Sequence, residues 1–433
     1  MAVHDQKLLA SGRGQRRIGQ LLVSLDLGAT KIACMIARVT PPSEGGFDLI
    51  GHGQQSSRGI KNGIVIDMDG LERSIRLAVE DAERMADVQA TNVRVAVSGS
   101  YIATRSVRGE ISMNGREIGS KDVQKLLETV VAAESNETQH ILHAMPLSYA
   151  IDGNDGVRDP RGMFADRLGV TLNLITMPMP VYRNIVLCVS RAHLAVESVN
   201  AAAFASAEAV LTEDERDNGA ICIDLGGGST GVSVFLNGTI AHLETLSVGG
   251  IHITSDLAHG VGTTVPAAER IKTLHGNVQP QQSAKSDFVE APKIGDDGRL
   301  QAARMSKAEL SGYILPRVEE IFELVSKHLS KSGLGGRLPR RAVLTGGGSD
   351  LPGVREHASR VLSMPVRLAR PLRAEELGEV CQKPTYSTAT GLLTLGATSP
   401  SKAKPVKAVR QKQSSGGEPG VFGKAFDWLK ENI

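Results

Sequence analysis

The chain has 433 residues, long enough for roughly two to four domains and a sizeable buried core. Its 49 Lys and Arg stand against 47 Asp and Glu, and a formal charge of +2 leaves no whole-chain electrostatic case for nucleic-acid binding. Hydrophobic residues at 41% and charged residues at 22% exclude a disordered or fibrous chain and describe a soluble globular one.

In chain order, residues 1–19 are basic but lack an apolar segment and a small-residue cleavage site. They read as a disordered tail rather than a secretory signal. LLVSLDL (21–27) and KIACMIARV (31–39) are apolar runs about a short Gly turn, a hairpin pattern. Leu71, Ile75, Ala78, Val79 and Ala82 recur at helical period within 70–86, and VRVAVSG (93–99) follows as a strand. The texture changes over 100–178, where two short helices and mixed strands, including HAMPLSYAIDG (143–153) and RLGVTLNLITMP (167–178), suggest an inserted subdomain. A helix over about 180–193 and the run VESVNAAAFASAEAVL (196–211) return to α/β texture. ICIDLGGGST (221–230) repeats the opening strand, Asp and Gly turn, and Asn237-Gly238 signals a tight turn between two further strands. Residues 255–275 and 306–330 are expected to be helices, and RRAVLTGGGSDLPGV (340–354) a strand, Gly turn and helix. STATGLLTLGA (387–397) is a short apolar helix. Residues 399–420 are rich in Pro, Gly, Ser and Lys and have almost no large apolar side chain, the composition of a flexible linker. Cys34, Cys188, Cys222 and Cys381 show no C-x-x-C spacing and read as buried free thiols in a reducing cytosol. No apolar run reaches about 18 residues, so no membrane-spanning helix is expected.

The informative feature is one turn used twice. Asp26-Leu27-Gly28-Ala29-Thr30-Lys31 and Asp224-Leu225-Gly226-Gly227-Gly228-Ser229-Thr230 each end an apolar strand. Glycine lets backbone N–H groups approach a phosphate chain closely, and Thr30, Ser229 and Thr230 can add hydroxyl donors. An Asp at the strand end repels phosphate, so its partner is a cation: Mg²⁺ bound near Asp26 and Asp224, through water. Lys31 offsets the remaining negative charge. A single D-x-G turn is usually no more than a tight hairpin. Two of them about 200 residues apart suggest a duplicated domain closing on one nucleotide. Gly346, Gly347, Gly348 and Ser349 form a third turn, suited to a base or ribose lying against backbone. No G-x-x-x-x-G-K-[ST] loop is present, so nucleotide binding is not of that kind.

These three turns resemble the phosphate and adenosine motifs of the actin/Hsp70/sugar-kinase superfamily. Within it the chain is similar to the bacterial cell-division family FtsA, on HAMPLSYAIDG (143–153), DPRGM (159–163), VLTEDER (210–216), TSDLA (254–258), AERIKTLHG (268–276), VLTGGGSDLPG (343–353) and YSTATGLL (386–393). The resemblance implies an α/β, actin-like ATPase fold of two lobes. Subdomain 1A is expected at 20–99 and 179–211, 1C at 100–178 in place of actin's 1B, 2A at 212–254 and 338–398, and 2B at 255–337. It also implies Glu269 and Lys272 beside the ribose and base, the alternative being an i,i+3 surface pair. It places the site for the C-terminal peptide of the tubulin-like FtsZ on 2B, with Arg317 as a contact; core packing or solvation is the other reading of that residue. The cofactors implied are ATP and Mg²⁺. The partners implied are FtsZ, other copies in a filament, later divisome membrane proteins and anionic membrane lipid, at the cytoplasmic face of the inner membrane at the division septum. Related filament ATPases carry a water-positioning Glu or Gln before the second phosphate loop. Residues 200–206 here have none, and Glu208 is off register, so no catalytic residue is assigned and slow or absent turnover is expected. A type IV pilus scaffold such as PilM, or a small-molecule kinase of the same superfamily, is the alternative.

At 100° per residue, Phe422, Phe426, Leu429 and Ile433 fall on one stripe of a helix over 421–433, with Trp428 at its edge. Thirteen residues span only about 20 Å, too short to cross a bilayer. The pattern suits a helix lying in the membrane interface, with docking onto the protein's own body or a partner as the alternative. Lys402, Lys404, Lys407, Arg410 and Lys412 upstream would favour anionic lipid.

Overall fold

The computed structural model describes residues 18–41, 46–279, 286–372 and 378–398. Residues 1–17 of the expected tail, the linker and the C-terminal helix, with Phe422, Phe426, Trp428, Leu429 and Ile433, lie outside these; Gly19, expected in the tail, donates its N–H to the Val39 carbonyl at 2.8 Å.

Two five-stranded sheets carry the same topology. The first is built from β1 (Leu21–Leu27), β2 (Lys31–Val39), β3 (Phe47–Ser56), β6 (Asn92–Val97) and β11 (Ala195–Ala201), in the order β3-β2-β1-β6-β11. A two-stranded ribbon, β4 (Ile60–Lys61) and β5 (Ile64–Val65), leads into α1 (Met68–Ala86). The second sheet runs β14-β13-β12-β19-β20, from β12 (Ala220–Leu225), β13 (Thr230–Leu236), β14 (Thr239–Leu246), β19 (Ala342–Thr345) and β20 (Val366–Leu368). In each, the first strand pairs antiparallel with a hairpin partner on one side and parallel with a crossover strand on the other. Such centrally placed strands are buried on both faces and read as near-continuous apolar runs, which is why LLVSLDL and AICIDL are legible.

Between β6 and α3 (Met179–Arg191) stands a separate four-stranded sheet, ordered β7-β10-β8-β9. Its strands are β7 (Ala103–Glu117), β8 (Gln139–Ile151), β9 (Asn154–Val157) and β10 (Phe164–Pro178). A single helix, α2 (Ser120–Glu134), covers one face and closes a core of its own with Leu126, Val130, Leu168 and Leu172. The sequence reading expected two helices here; the second stretch extends the strands instead. The insert also touches the second lobe: the Asn173 amide donates to the carbonyls of Ile240 (3.1 Å) and Ala241 (2.5 Å) on β14.

The lobes meet along α4 (Ala202–Val210) and α10 (Ser387–Thr398), which cross closely at Gly391 and pack Leu392 against Ala202 and Ala205. A Cβ placed on Gly391 would fall 1.7 Å from the Ala205 carbonyl oxygen. After α4, α5 (Glu213–Asn218) starts with a Thr212 cap and a reciprocal Glu215 bond, the device encoded by T-E-D-E. Glu215 also receives the guanidinium of Arg367 on β20 at 2.6 and 2.5 Å, and Arg367 donates to the Val210 carbonyl at 2.8 Å. Its carboxyl is held below the usual range: burial opposes this, but the Arg367 and Thr212 hydrogen bonds outweigh it.

The helix expected over 255–275 is two, α6 (Gly250–Val261) and α7 (Val265–His275), because Gly262 caps α6 with φ +69°. Two further small ribbons, from β15 (Phe288–Glu290), β16 (Lys293–Ile294), β17 (Leu300–Gln301) and β18 (Arg304–Ser306), precede α8 (Lys307–Lys331). The third glycine turn itself winds into one 3₁₀ turn, Gly347–Asp350, before α9 (Val354–Leu362) begins. All four cysteines are free and buried. Among the described residues no helix is long and apolar enough to cross a membrane.

Candidate functional site: a cleft between two mirrored glycine turns

Asp26 lies opposite Ala33 on β2 and beside Ala96 on parallel β6; Asp224 lies opposite Gly231 and beside Thr345. The two acids therefore hold the same station, one residue from the end of β1 or β12. The turns that follow touch tip to tip. A Cβ on Gly227 would fall 2.4 Å from Thr30 Cγ2, so only glycine lets the loops meet. Behind them Gly346, at φ +85°, passes so close that a Cβ would lie 2.2 Å from Asp224 Oδ1.

Together these turns line a cavity of about 370 Å³. Asp26, Gly28, Ala29, Thr30 and Lys31 line it from the first lobe, and Asp224, Gly226, Gly227, Gly228 and Ser229 from the second. Gly346, Gly347 and Gly348 line it behind, and Glu269 and Lys272 on α7 flank them. Burial pushes the Asp26 carboxyl up to about 7, and the Asp224 charge adds to this while Lys31 opposes it. Burial also raises Asp224, against hydrogen bonds from Ser206 and Thr388. Lys31 is pushed down to about 8 by burial, opposed chiefly by Asp26. Its ammonium stands 3.7 Å from the centroid of the Tyr386 ring, is shut off from solvent and makes no hydrogen bond among the described residues.

A buried ammonium without an acceptor is costly unless an anion meets it. Two carboxylates held above their normal range in the same cavity are costly unless a cation meets them. A magnesium-bound phosphate chain satisfies both, and the side-chain-free turns leave room for its oxygens. The residues present thus fit Mg²⁺ near Asp26 and Asp224, with phosphates against the 28–31 and 226–229 turns. Lys272 donates to Glu269 (2.7 Å), to Thr254 (2.8 Å) and to the Gly250 carbonyl (3.1 Å). Glu269 also accepts from the Thr254 hydroxyl, and its carboxyl is held below the usual range, burial being outweighed by Lys272 and Thr254. The two form an i,i+3 pair on α7 in which Lys272 is largely covered and Glu269 half exposed, and both side chains line the cavity.

Three sequence expectations differ from this geometry. Thr230 is fully buried and donates its hydroxyl to the Val248 carbonyl at 2.7 Å, away from the cavity. Ser349 likewise donates to the Gly346 carbonyl at 2.7 Å, bracing the third turn from behind. Both side chains point into the protein because strand alternation and the 3₁₀ turn rotate them there. Arg317 sits in a two-pronged pair with Asp256 at 2.6 and 3.0 Å and meets Glu320 at 2.5 Å, so its guanidinium is already engaged on α6 and α8.

Ala202 and Ala203 are what the segment before the second loop presents to the cleft. Glu208 is paired to Arg216 at 2.6 Å and does not line it. Sequence reading missed Ser98 after β6, whose hydroxyl accepts from Ser229 at 3.3 Å across the cleft. It also missed Thr388, which donates to Asp224 Oδ2 at 3.2 Å, and Tyr386 under Lys31. Both lie in YSTATGLL, which was noted as a family signature without a role. His140 stacks on Tyr182 and His143 is buried against Phe204, so each has a packing partner.

Duplicated α/β lobes, an inserted subdomain and an acid-lined cleft at the strand ends define an actin-like ATPase fold. Its overall course is similar to a chain of a solved PilM-PilN type IV pilus biogenesis complex, with a TM-score of 0.61 and 16% identity, covering 89% of this chain and 100% of that one. The sequence narrows this further. The family model "Cell division protein FtsA" matches residues 221–391, and the model of the SHS2 domain inserted in FtsA matches 99–176. The chain is 37% identical to the cell division protein FtsA of Rhizobium meliloti, over 94% of both chains. It is 33% identical to that of Escherichia coli K12, over 88% of this chain and 91% of the relative. The chain belongs to the FtsA family of cell-division proteins.

Proposed function

We propose that this chain binds MgATP in the cleft with slow or no turnover, polymerises on the cytoplasmic face of the inner membrane at the septum, and anchors the FtsZ ring there. It binds the FtsZ C-terminal peptide through subdomain 2B, attaches to anionic lipid through residues 421–433, and helps recruit later divisome membrane proteins. The observation that carries the nucleotide reading is Lys31: a buried ammonium with no hydrogen-bond partner, facing two acids across a glycine cradle. When bound, the magnesium would neutralise phosphate charge, while this chain's turns and Lys31 orient the phosphates and Lys272 and Glu269 flank the sugar. Slow turnover is supported by the bare Ala202–Ala203 wall, which offers no side chain to position a water. Nucleotide then acts as a structural ligand that favours the closed, filament-forming state.

The membrane reading rests on the apolar stripe of the last 13 residues and on membership of the family. Liposome co-sedimentation tests it. Intact chain should pellet with anionic vesicles, more so with MgATP because polymerisation multiplies a weak attachment. A chain ending at Gly420, or carrying Phe426→Glu, should stay in the supernatant; equal pelleting of either overturns the reading. ATP turnover at about 1 s⁻¹ or faster, lost in Glu208→Ala, would overturn the slow-turnover part.

A further inference from the structure

Strand β7 is an edge. Among the described residues its single ladder is to β10, in an unbroken register from Ala103↔Thr176 to Ser112↔Arg167. Val107, Ile111 and Met113 face the α2-covered core, and Gly109 lies under Val130, where a Cβ would meet Val130 Cγ2 at 2.3 Å. Ser106, Arg108, Glu110 and Ser112 alternate with them and are exposed on the opposite face. Long edges are normally blunted by Pro, bulges or a run of one charge. This edge is straight through 103–112, contains no Pro, and alternates Arg with Glu about a central glycine.

We propose that the outer edge of β7 pairs antiparallel with β7 of a second copy of this chain, about a two-fold axis through Gly109. That register sets Arg108 against Glu110 twice, Val107 against Ile111 twice and Ser106 against Ser112 twice. Opposite charges and apolar pairs directly across a ladder stabilise it, while like charges destabilise it. Moving the axis to residue 108 puts Arg108 opposite itself, and moving it to residue 110 does the same to Glu110. A half-step places core-facing residues against solvent-facing ones. The edge therefore discriminates against other registers while matching itself in one. The present partners of these charges are loose and exposed: Arg108 lies 3.6 Å from Asp155, and Glu110 lies 3.6 Å from Arg167. Surface pairs of that kind are readily exchanged. A two-fold contact of this kind is closed, so it joins copies in pairs.

Disulfide trapping in the full chain tests the register. The four native cysteines are buried, so Ser106→Cys and Ser112→Cys supply the accessible thiols. Under a mild oxidant, an equimolar mixture of the two variants should give a cross-linked dimer several-fold above either variant alone, since 106 faces 112 and never itself. Adding Arg108→Glu to both should abolish the cross-link, and adding Arg108→Glu together with Glu110→Arg should restore it. No cross-link in the mixture, equal cross-linking in a single variant, or failure of the charge swap to restore it overturns the proposal.

Discussion

Lys31 is the residue on which the cleft's chemistry turns. Its ammonium is desolvated, lies over Tyr386 and has no hydrogen-bond acceptor among the described residues, which favours an anion in the cavity. Lys31→Ala should weaken MgATP binding by about 100-fold, the loss expected of a charge-assisted contact worth about 1.5–3 kcal/mol in a desolvated site. Titration with a fluorescent ATP analogue measures this, and unchanged affinity would contradict the assignment. A second residue contributes to the pH dependence of stability. His143 on β8 is buried; its Nε2 accepts the Ala201 N–H at 3.1 Å, and its ring meets Phe204 edge-on at 4.7 Å. Burial, with a smaller push from His140, lowers its pKa from 6.5 to about 3. The folded state thus refuses a proton that the unfolded chain accepts below pH 6.5. Stability is intact above that pH and is lost progressively as pH falls toward 3. At pH 5 the loss from this group is about 2 kcal/mol, at about 1.36 kcal/mol per pH unit. Asp26, whose raised pKa of about 7 works in the opposite direction over this range, and His140 act equally in the parent chain and in His143→Gln, so urea unfolding at pH 7.5 and pH 5 isolates the group: on acidification the variant should lose about 2 kcal/mol less than the parent.

At the scale of elements, the crossing of α4 and α10 decides how close the lobes stand. Small residues make the crossing possible, Gly391 packing directly on the backbone of Ala205. Gly391→Ala places a methyl carbon where the Ala205 carbonyl oxygen already lies. The helices must part, at a cost of about 2–3 kcal/mol or more, even though alanine is the better helix former. A urea midpoint equal to that of the parent chain would show that the crossing yields more easily than its packing indicates. The same crossing explains a difference between sequence and structure. Residues 387–397 read as a short apolar helix, yet Thr388 reaches Asp224 in the cleft and Gly391 admits α4.

Across the whole molecule, the cleft is where ligand energy becomes stability. Both lobes and the third turn contribute to one cavity, so a nucleotide bound there bridges bodies also joined through α4, α10 and the insert's contacts with β14. MgATP at about 1,000 times its Kd should raise stability by about 4 kcal/mol, since it binds the folded state alone. A thermal shift should read this as an increase of several degrees with MgATP. Lys31→Ala should blunt the shift at the same nucleotide concentration. No shift in the parent chain would count against a ligand held by both lobes.

Local rules reach a long way into this protein. The strands 21–27 and 31–39, the Asn237-Gly238 turn and the repeated Asp-x-Gly turn were legible because apolar runs, left-handed turn residues and glycine act over a few positions. From these the residues alone also indicated a duplicated fold with an insert near 100–178. Other features depend on distant partners and left no local trace. Thr230 and Ser349 have the right chemistry, but the direction of each side chain is fixed by the strand or turn that carries it. Arg317 is occupied by an acid 61 positions away, Ser98 and Thr388 enter the cleft only because β6 and α10 converge on it, and Tyr386 reaches Lys31 from the buried turn before α10. Sequence by itself determined the turn chemistry and the duplicated plan, since both follow from short-range backbone and periodicity. Tertiary structure alone decided which hydroxyls and charges face the cleft, because that depends on packing between segments hundreds of residues apart.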